Sequence, residues 1–197
     1  MSAPEQPAAG GEDTRVRFGP CATDIIELAA RRGRAAELAA VAAHRGLALP
    51  AFGRATVCVG QLAISTRPER WLLLSPPAIP GLAHAAWQDA CAGTAAVIEL
   101  SSALAVFYLA GADSTEVLLR GCRLDLHPTV FPAGHVAATT IAQVAVIIVQ
   151  LPDARLLLTP ATTARHFSDW LAATGAPYGI SQTGAVPFAA LSGEQFS

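Results

Sequence analysis

Apolar residues along the chain fall in short runs that Gly, Pro and polar residues separate. Most of these runs have the length of a β-strand rather than of a long helix. Strands are predicted at 54–66 (one or two), 70–77, 95–111 (two), 135–150 (two) and 155–160, and 24–30 is a further short apolar segment. Helix formers followed by a glycine predict helices at 33–46, 81–93 and 161–175, and a fourth helix is predicted at 112–119. Because strands and helices interleave, the pattern predicts an α+β fold of two small α/β subdomains with mixed or antiparallel sheets.

The composition changes along the chain and suggests four parts. Residues 1–20 are polar and rich in Pro and Gly, which is typical of a flexible tail. A first α+β subdomain is predicted at 21–94 and a second at 95–175. Residues 176–197 lack a helical or strand period, yet they carry four large apolar side chains: Tyr178, Phe188, Leu191 and Phe196. We expect this extended C-terminal tail to lie over its own fold or over a partner.

Two local similarities suggest an internal repeat. The sequence IIELAA at 25–30 resembles VIELSS at 97–102, and RWLLLSP at 70–76 resembles RLLLTP at 155–160. The segments RWLLLSP and RLLLTP each precede a predicted helix that carries a tryptophan. The two similarities differ in their offset, which predicts extra residues in the second half, near HPTVFPAGHV. Chance similarity between short apolar strands is the alternative.

The chain is unusually apolar for a protein without a membrane span. Hydrophobic residues make up 52% of it and charged residues 14%, where about 25% charged is usual. The mean hydropathy is +0.42, yet no apolar run is long enough to cross a bilayer. Large exposed apolar patches usually mark contact sites, so we expect this surface to be buried against another protein.

Charge and cysteine content exclude several classes of function. The net charge is −2 and the 13 basic residues are scattered, so we expect no nucleic-acid binding. All 13 are Arg, and the absence of Lys removes Schiff-base chemistry and the P-loop lysine. The four Cys form no CxxC pair, and the N-terminus has no apolar signal segment. We therefore expect a cytoplasmic protein with reduced, mostly buried thiols.

The segment RGCRLDLHP at 120–128 holds the chain's most reactive-looking combination of residues. Cys122, Asp125 and His127, with His135, would have to supply a zinc site, but structural zinc usually uses closely paired ligands that this spacing lacks. A Cys–His–Asp nucleophile is a second alternative, although a Cys in the last turn of an apolar helix is more often a buried small hydrophobe. The third is a fixed corner, in which leucines point inward while Asp125 and His127 hydrogen-bond to backbone or to a partner.

Motifs for other chemistry are missing from the sequence. It contains no GxGxxG in a βαβ setting, no GxSxG elbow and no HExxH. The remaining histidines are isolated. We therefore predict no catalytic, cofactor-binding or metal-binding residue in this chain.

The motif Gly-Cys-x-Leu-Asp-Leu-His-Pro at 121–128, with Phe131 and Gly134 beyond it, resembles the gamma subunits of heterotetrameric sarcosine oxidases. The resemblance runs from about residue 54 to 171. It implies a noncatalytic subunit with a fold similar to the folate-binding aminomethyltransferases. It also implies an interface role for the motif, whose candidate residues are Arg120, Gly121, Cys122, Asp125, Leu126, His127 and Pro128.

The resemblance further implies an activity for the whole complex. Such oxidases demethylate sarcosine to glycine with O2, giving H2O2 and a one-carbon unit for tetrahydrofolate. Their alpha subunit holds NAD and folate, beta holds FAD, a covalent FMN lies between these two, and delta carries zinc. The expected partners are therefore the alpha, beta and delta subunits, with direct contact to alpha, beta or both.

Two alternatives stay open at this point. A related oxidase with the same subunit plan would act on another N-methyl or cyclic amine. A stand-alone folate-dependent protein is a further possibility, because a folate-dependent iron–sulfur repair family carries Lys-Gly-Cys-Tyr-x-Gly-Gln at a comparable place. The present chain keeps only the Gly-Cys pair of that motif, at Gly121 and Cys122.

Overall fold

The structure, a computed structural model, describes residues 15–58 and 60–188. Its strands are β1 (Val16–Ala22), β2 (Asp24–Ala30), β3 (Ala55–Cys58), β4 (Gln61–Arg67), β5 (Arg70–Ser75), β6 (Ala95–Glu99), β7 (Leu104–Ala110), β8 (Val136–Ile141), β9 (Val144–Gln150), β10 (Ala154–Pro160), β11 (Ile180–Gln182) and β12 (Val186–Pro187). Its α-helices are α1 (Ala35–His44), α2 (Leu82–Ala90), α3 (Ser114–Leu119) and α4 (Ala164–Gly175). Short 3-10 turns at Ala161–Thr163 and Ala176–Tyr178 flank α4.

The strands form two sheets. The five-stranded sheet has the order β3-β4-β5-β2-β6 and is antiparallel throughout. The seven-stranded sheet has the order β11-β1-β7-β10-β9-β8, with β12 also pairing with β1. It is mixed, because β1 runs parallel to β11 and β12 and antiparallel to β7. The predicted α+β class with mixed and antiparallel sheets is confirmed.

The two sheets pack face to face, and helices cover their outer faces. The core between the sheets includes Ile25, Ile64 and Leu74 on one side and Val149, Leu156 and Leu158 on the other. Helices α1 and α2 cover the five-stranded sheet with Leu38, Ala42 and Trp87. Helices α3 and α4 cover the seven-stranded sheet with Val117, Leu118, Phe167 and Leu171. Each large side chain buried in these layers stabilises the fold by about 1.5–3 kcal/mol.

The order of elements repeats once along the chain. Each half follows the order ββαβββα, first from β1 to α2 and then from β6 to α4. The first strand of each half pairs in the other half's sheet, since β1 joins β7 and β6 joins β2. The similarity between 70–76 and 155–160 therefore joins equivalent strands, β5 and β10. The similarity between 25–30 and 97–102 does not, because β6 is the neighbour of β2 and the equivalent of β2 is β7.

Strands occupy part of each segment that the sequence predicts as a tail. Residues 16–20 were expected in a loose tail, but they belong to β1, which lies between β7 and β11 inside the seven-stranded sheet. Residues 180–182 and 186–187 also form strands, β11 and β12, where no strand was predicted. The boundary at 94/95 falls just before β6, which pairs with the strands of the first half. The division into subdomains itself stays a prediction, and Leu191 and Phe196 lie outside the described residues.

None of the helices in the described ranges is long and apolar enough to cross a bilayer.

Candidate functional site

The motif segment begins where α3 ends. The backbone N–H groups of Gly121 and Cys122 both donate to the carbonyl of Leu118, at 3.0 and 2.8 Å. The chain then turns away from the helix, and Cys122 makes an isolated β-bridge to Ile141 at the end of β8. Backbone contacts therefore hold the start of the motif in place without any contribution from its side chains.

Three side chains of the segment point into the core beneath α3 and α4. Cys122 is 6% exposed, Leu126 is 1% exposed and Phe131 is 6% exposed, and all three belong to one apolar cluster. Leu124 packs half-buried against the same cluster. Cys122 is thus a small core residue here, which is the usual place of a free thiol.

Gly121 allows a close approach between α4 and the motif. A Cβ atom at this position would lie 2.6 Å from Cζ2 of Trp170 and 3.1 Å from the backbone nitrogen of Ala142. The Trp170 indole is stacked on Phe167, with 6.0 Å between ring centroids. The carbonyl of Gly121 accepts a hydrogen bond from Ala142 N at 3.2 Å. A side chain at position 121 would therefore separate the motif from α4.

The polar residues of the segment face solvent and bond to one another. Asp125 Oδ1 accepts a hydrogen bond from the backbone N–H of His127 at 2.9 Å, and His127 Nδ1 lies 2.8 Å from Thr129 Oγ1. The carbonyl of His127 accepts from the N–H groups of Val130 and Phe131 at 2.9 and 2.8 Å. These bonds hold a tight local turn around Pro128, which is itself exposed.

This arrangement does not bring the motif's reactive groups together. Cys122 points into the core, whereas Asp125 and His127 lie on the outer surface. In the described part of the chain, no three His, Cys, Asp or Glu residues form a group that could hold a metal ion. His135 packs edge-on against Phe131 with ring centroids 5.6 Å apart, and desolvation, followed by the charge of Arg54, lowers its pKa. The geometry thus fits a structural corner better than a nucleophile or a zinc site.

Arg120 connects the motif to the segment after α4. Its Nε and Nη2 donate to Tyr178 Oη at 3.1 and 2.7 Å, and its guanidinium carbon lies 5.9 Å from the centre of the Tyr178 ring. This hydrogen bond raises the pKa of Arg120. No local sequence pattern indicates this contact, because the two residues are 58 positions apart.

An open groove of about 560 Å³ lies beside the motif. It is lined by Gly121, Arg123, Thr139, Thr140, Ala142 and Gln143. The lining offers hydroxyl and amide groups and one guanidinium, but no acid–base pair. Two apolar side chains near the motif are exposed, Leu119 by 44% and Val130 by 54%.

Two buried charges were not predicted from the sequence. Glu27 in β2 is 6% exposed and bonds to Arg67 and Arg70. Arg155 in β10 is also 6% exposed; it donates to Ser114 Oγ and Thr115 Oγ1, while its Nε has no partner. Burial lowers the pKa of Arg155. A charged residue inside an otherwise apolar strand is the only sequence signal that marks either position.

The thiols of the described residues are free, as expected. Burial raises the pKa of Cys21 to about 11 and also raises that of Cys91. Both thiols are therefore protonated and poorly nucleophilic at neutral pH.

Comparison with known proteins gives a consistent result. The family model described as "Sarcosine oxidase, gamma subunit family" matches residues 32–176. A solved structure, the heterotetrameric sarcosine oxidase from Corynebacterium sp. U-96 in complex with pyrrole 2-carboxylate, is similar with a TM-score of 0.76 and 24% identity, over 88% of this chain and 90% of that chain. No curated protein sequence matches the chain.

A second solved structure shows the same fold in a different protein. The glycine cleavage system aminomethyltransferase T from Bartonella henselae is similar with a TM-score of 0.65 and 14% identity, over 90% of this chain. The match spans 49% of the aminomethyltransferase, so this chain corresponds to about half of that protein. The predicted likeness to the aminomethyltransferase fold is confirmed. Because the family model covers well over half of the sequence, the chain belongs to the sarcosine oxidase gamma subunit family.

Proposed function

We propose that this chain is a noncatalytic, structural subunit of a heterotetrameric sarcosine oxidase. The complex would oxidise sarcosine to glycine with O2, giving H2O2 and a one-carbon unit for tetrahydrofolate. Membership of the gamma subunit family is the observation that carries the proposal. The motif supports it, because Cys122 serves as core packing while Asp125 and His127 are used in a local turn.

The cofactors of the complex are assigned to other subunits in this proposal. FAD, FMN, NAD, tetrahydrofolate and zinc would lie in alpha, beta and delta or between them. The donor set of the described residues does not fit zinc, since no three potential ligands come together.

The contact with alpha, beta or both is assigned to the surface around the motif. Arg120, Asp125, His127 and Pro128 are exposed there, next to Leu119 and Val130. The buried members of the motif, Cys122 and Leu126, hold this surface in a fixed shape. A preformed surface loses little conformational freedom on binding, which favours a stable complex.

We place the complex in the cytoplasm, in keeping with the free thiols of the described residues. The net charge of −2 supports protein partners rather than nucleic acid.

Producing the chain alone and together with the larger subunits of a sarcosine oxidase tests the proposal. We expect aggregation or poor solubility for the chain alone, and co-elution in a fixed ratio when the subunits are produced together. Oxidase assays of the purified complex with sarcosine and other secondary amines identify the substrate. A soluble isolated chain that binds tetrahydrofolate would contradict the structural role.

A further inference from the structure

A cleft opens between the two sheets, and no residue of the motif lines it. Its volume is about 170 Å³. Its residues come from β2, β4, β5 and β7, from the loop before β7 and from β9: Glu27, Thr66, Arg67, Arg70, Trp71, Leu72, Leu100, Leu104 and Ile147. The lining thus combines three charged side chains with apolar ones, and Leu72 lies directly opposite Glu27 across β5 and β2.

The charged part of the lining combines one buried carboxylate with two exposed guanidinium groups. Arg67 Nη2 and Arg70 Nη1 both donate to Glu27 Oε1 at 3.2 Å. The side chain of Glu27 is 9% exposed, whereas those of Arg67 and Arg70 are 64% and 44% exposed. Each guanidinium carries several further N–H donors, and these are available at the mouth of the cleft.

The charges that line the cleft do not balance. Two positive groups, Arg67 and Arg70, face one negative group, Glu27. Glu69 lies in the same β4–β5 turn, but it is exposed and does not line the cleft. A second carboxylate at the mouth would complete the pairing, and arginine is well suited to bind carboxylates through paired hydrogen bonds.

The apolar part of the lining and the volume of the cleft limit what can bind in it. Leu72, Leu100, Leu104 and Ile147 form its wall. On β6, Ile98 is the direct cross-strand partner of Glu27 and is 40% exposed, which adds apolar surface beside the cleft. A volume of about 170 Å³ is below the ~300–1,000 Å³ of typical small-molecule pockets. The cleft therefore suits one or two side chains rather than a cofactor.

We propose that this cleft receives an acidic side chain, with an apolar neighbour, from a larger subunit of the complex. The carboxylate would pair with Arg67 and Arg70, and the apolar neighbour would cover the leucines and Ile98. This inference rests on the proposed function, because it assigns a second contact point of the same structural subunit. It differs from the motif surface in location and in chemistry, so the two contacts can be tested separately.

Binding measurements with the co-produced larger subunits test the inference. In the double variant Arg67→Gln/Arg70→Gln, the dissociation constant should rise at least about tenfold, and its dependence on salt should become weaker. Arg165→Gln is the matched control, because the Arg165 side chain is 96% exposed and lies on α4. This control should bind as the wild type does.

Glu27→Gln provides a test that does not depend on losing an interaction. The amide oxygen can still accept from both arginines, so the local hydrogen bonds are kept. The net charge lining the cleft becomes more positive by one unit, so binding of a carboxylate should become tighter by several-fold, with a steeper salt dependence. Wild-type or weaker binding by Glu27→Gln would overturn the proposal even if the double variant were poorly folded.

Two further outcomes distinguish a failure of the proposed function from a failure of the cleft proposal. If the wild-type chain does not bind the larger subunits at all, the proposed function fails. If it binds and the double variant binds equally well, only the present inference fails. A chain ending at Phe188 should bind as the wild type does; a loss as large as that of the double variant would assign the cleft to the chain's own last residues and overturn the proposal.

Discussion

Replacing Gly121 with alanine places a methyl group between the end of α3 and the indole of Trp170. The added Cβ would lie 2.6 Å from Trp170 Cζ2, 3.1 Å from Cη2 of the same ring and 3.1 Å from Ala142 N. The ring cannot swing away freely, since it stacks on Phe167 at 6.0 Å. Overpacking of this kind costs about 1–3 kcal/mol. We expect Gly121→Ala to lower the free energy of unfolding by this amount.

Urea unfolding read by pulse proteolysis measures this cost, because it requires only dilute protein. Gly184→Ala is the control, since a Cβ there meets nothing within 4 Å. Its stability should equal or slightly exceed that of the wild type. Trp170→Phe removes the ring that carries Cζ2, so it should cost less in the Gly121→Ala background than alone, with a coupling of about 1 kcal/mol or more. Equal stabilities of the two alanine variants, or additive effects in the double variant, would refute the reasoning.

Three other predictions each concern a single side chain. Asp125→Ala removes the acceptor of the His127 N–H, so it should destabilise the turn at 125–131 by about 1 kcal/mol and weaken assembly of the complex. Turnover per assembled complex should stay unchanged. Normal assembly with lost turnover would instead indicate a direct role of Asp125 in catalysis. Arg155→Met should keep the free energy of unfolding in urea within about 1 kcal/mol of the wild type, because the buried guanidinium is bonded to hydroxyls only. A loss of more than about 3 kcal/mol would contradict the expectation that this buried charge contributes little to stability. Burial raises the pKa of Cys21 from 9.0 to about 11, so the folded state keeps a proton that the unfolded state releases. Stability should therefore be intact below pH 9 and fall as the pH rises towards 11, and Cys21→Ala should reduce this slope; equal slopes in the two proteins would contradict it.

Local sequence patterns identify most elements of this fold, because most strands are short apolar runs and three of the helices are runs of helix formers that end at or near a glycine. Strand β1 was not predicted, for a physical reason. Residues Gly19 and Pro20 weaken the strand pattern of β1, since Gly lacks a side chain to pack and Pro lacks an N–H. The strand is held instead by remote partners, such as Leu109 opposite Phe18 and Ile180 opposite Val16. Pairing over such distances leaves no signal in a local window.

The internal repeat shows the same limit. Sequence similarity matched β2 with β6, because both are apolar strands that contain an isolated glutamate. In the structure these strands are antiparallel neighbours, with Glu27 opposite Ile98. Exchange of the first strand between the two halves produces this pairing. A local comparison cannot detect the exchange, since it changes partners and not composition.

Some features of the candidate site follow from the local sequence, and others depend on contacts with remote elements. Burial of Leu126 and the exposed positions of Asp125 and His127 follow from the alternation of polar and apolar residues in 122–128. Two other features depend on how remote elements dock: the approach of Trp170 to Gly121, and the bond from Arg120 to Tyr178. The two-sheet cleft around Glu27 also needs the complete topology.

The central claim is that the chain works as a noncatalytic part of a larger flavin-containing oxidase. Native mass spectrometry of the complex purified from co-produced subunits tests it most directly. We predict a fixed number of copies of this chain in each amine-oxidising complex, and no flavin, folate or zinc on the chain when it dissociates. A chain that is recovered apart from the other subunits as a stable monomer, or that dissociates with a ligand of its own, would contradict the claim.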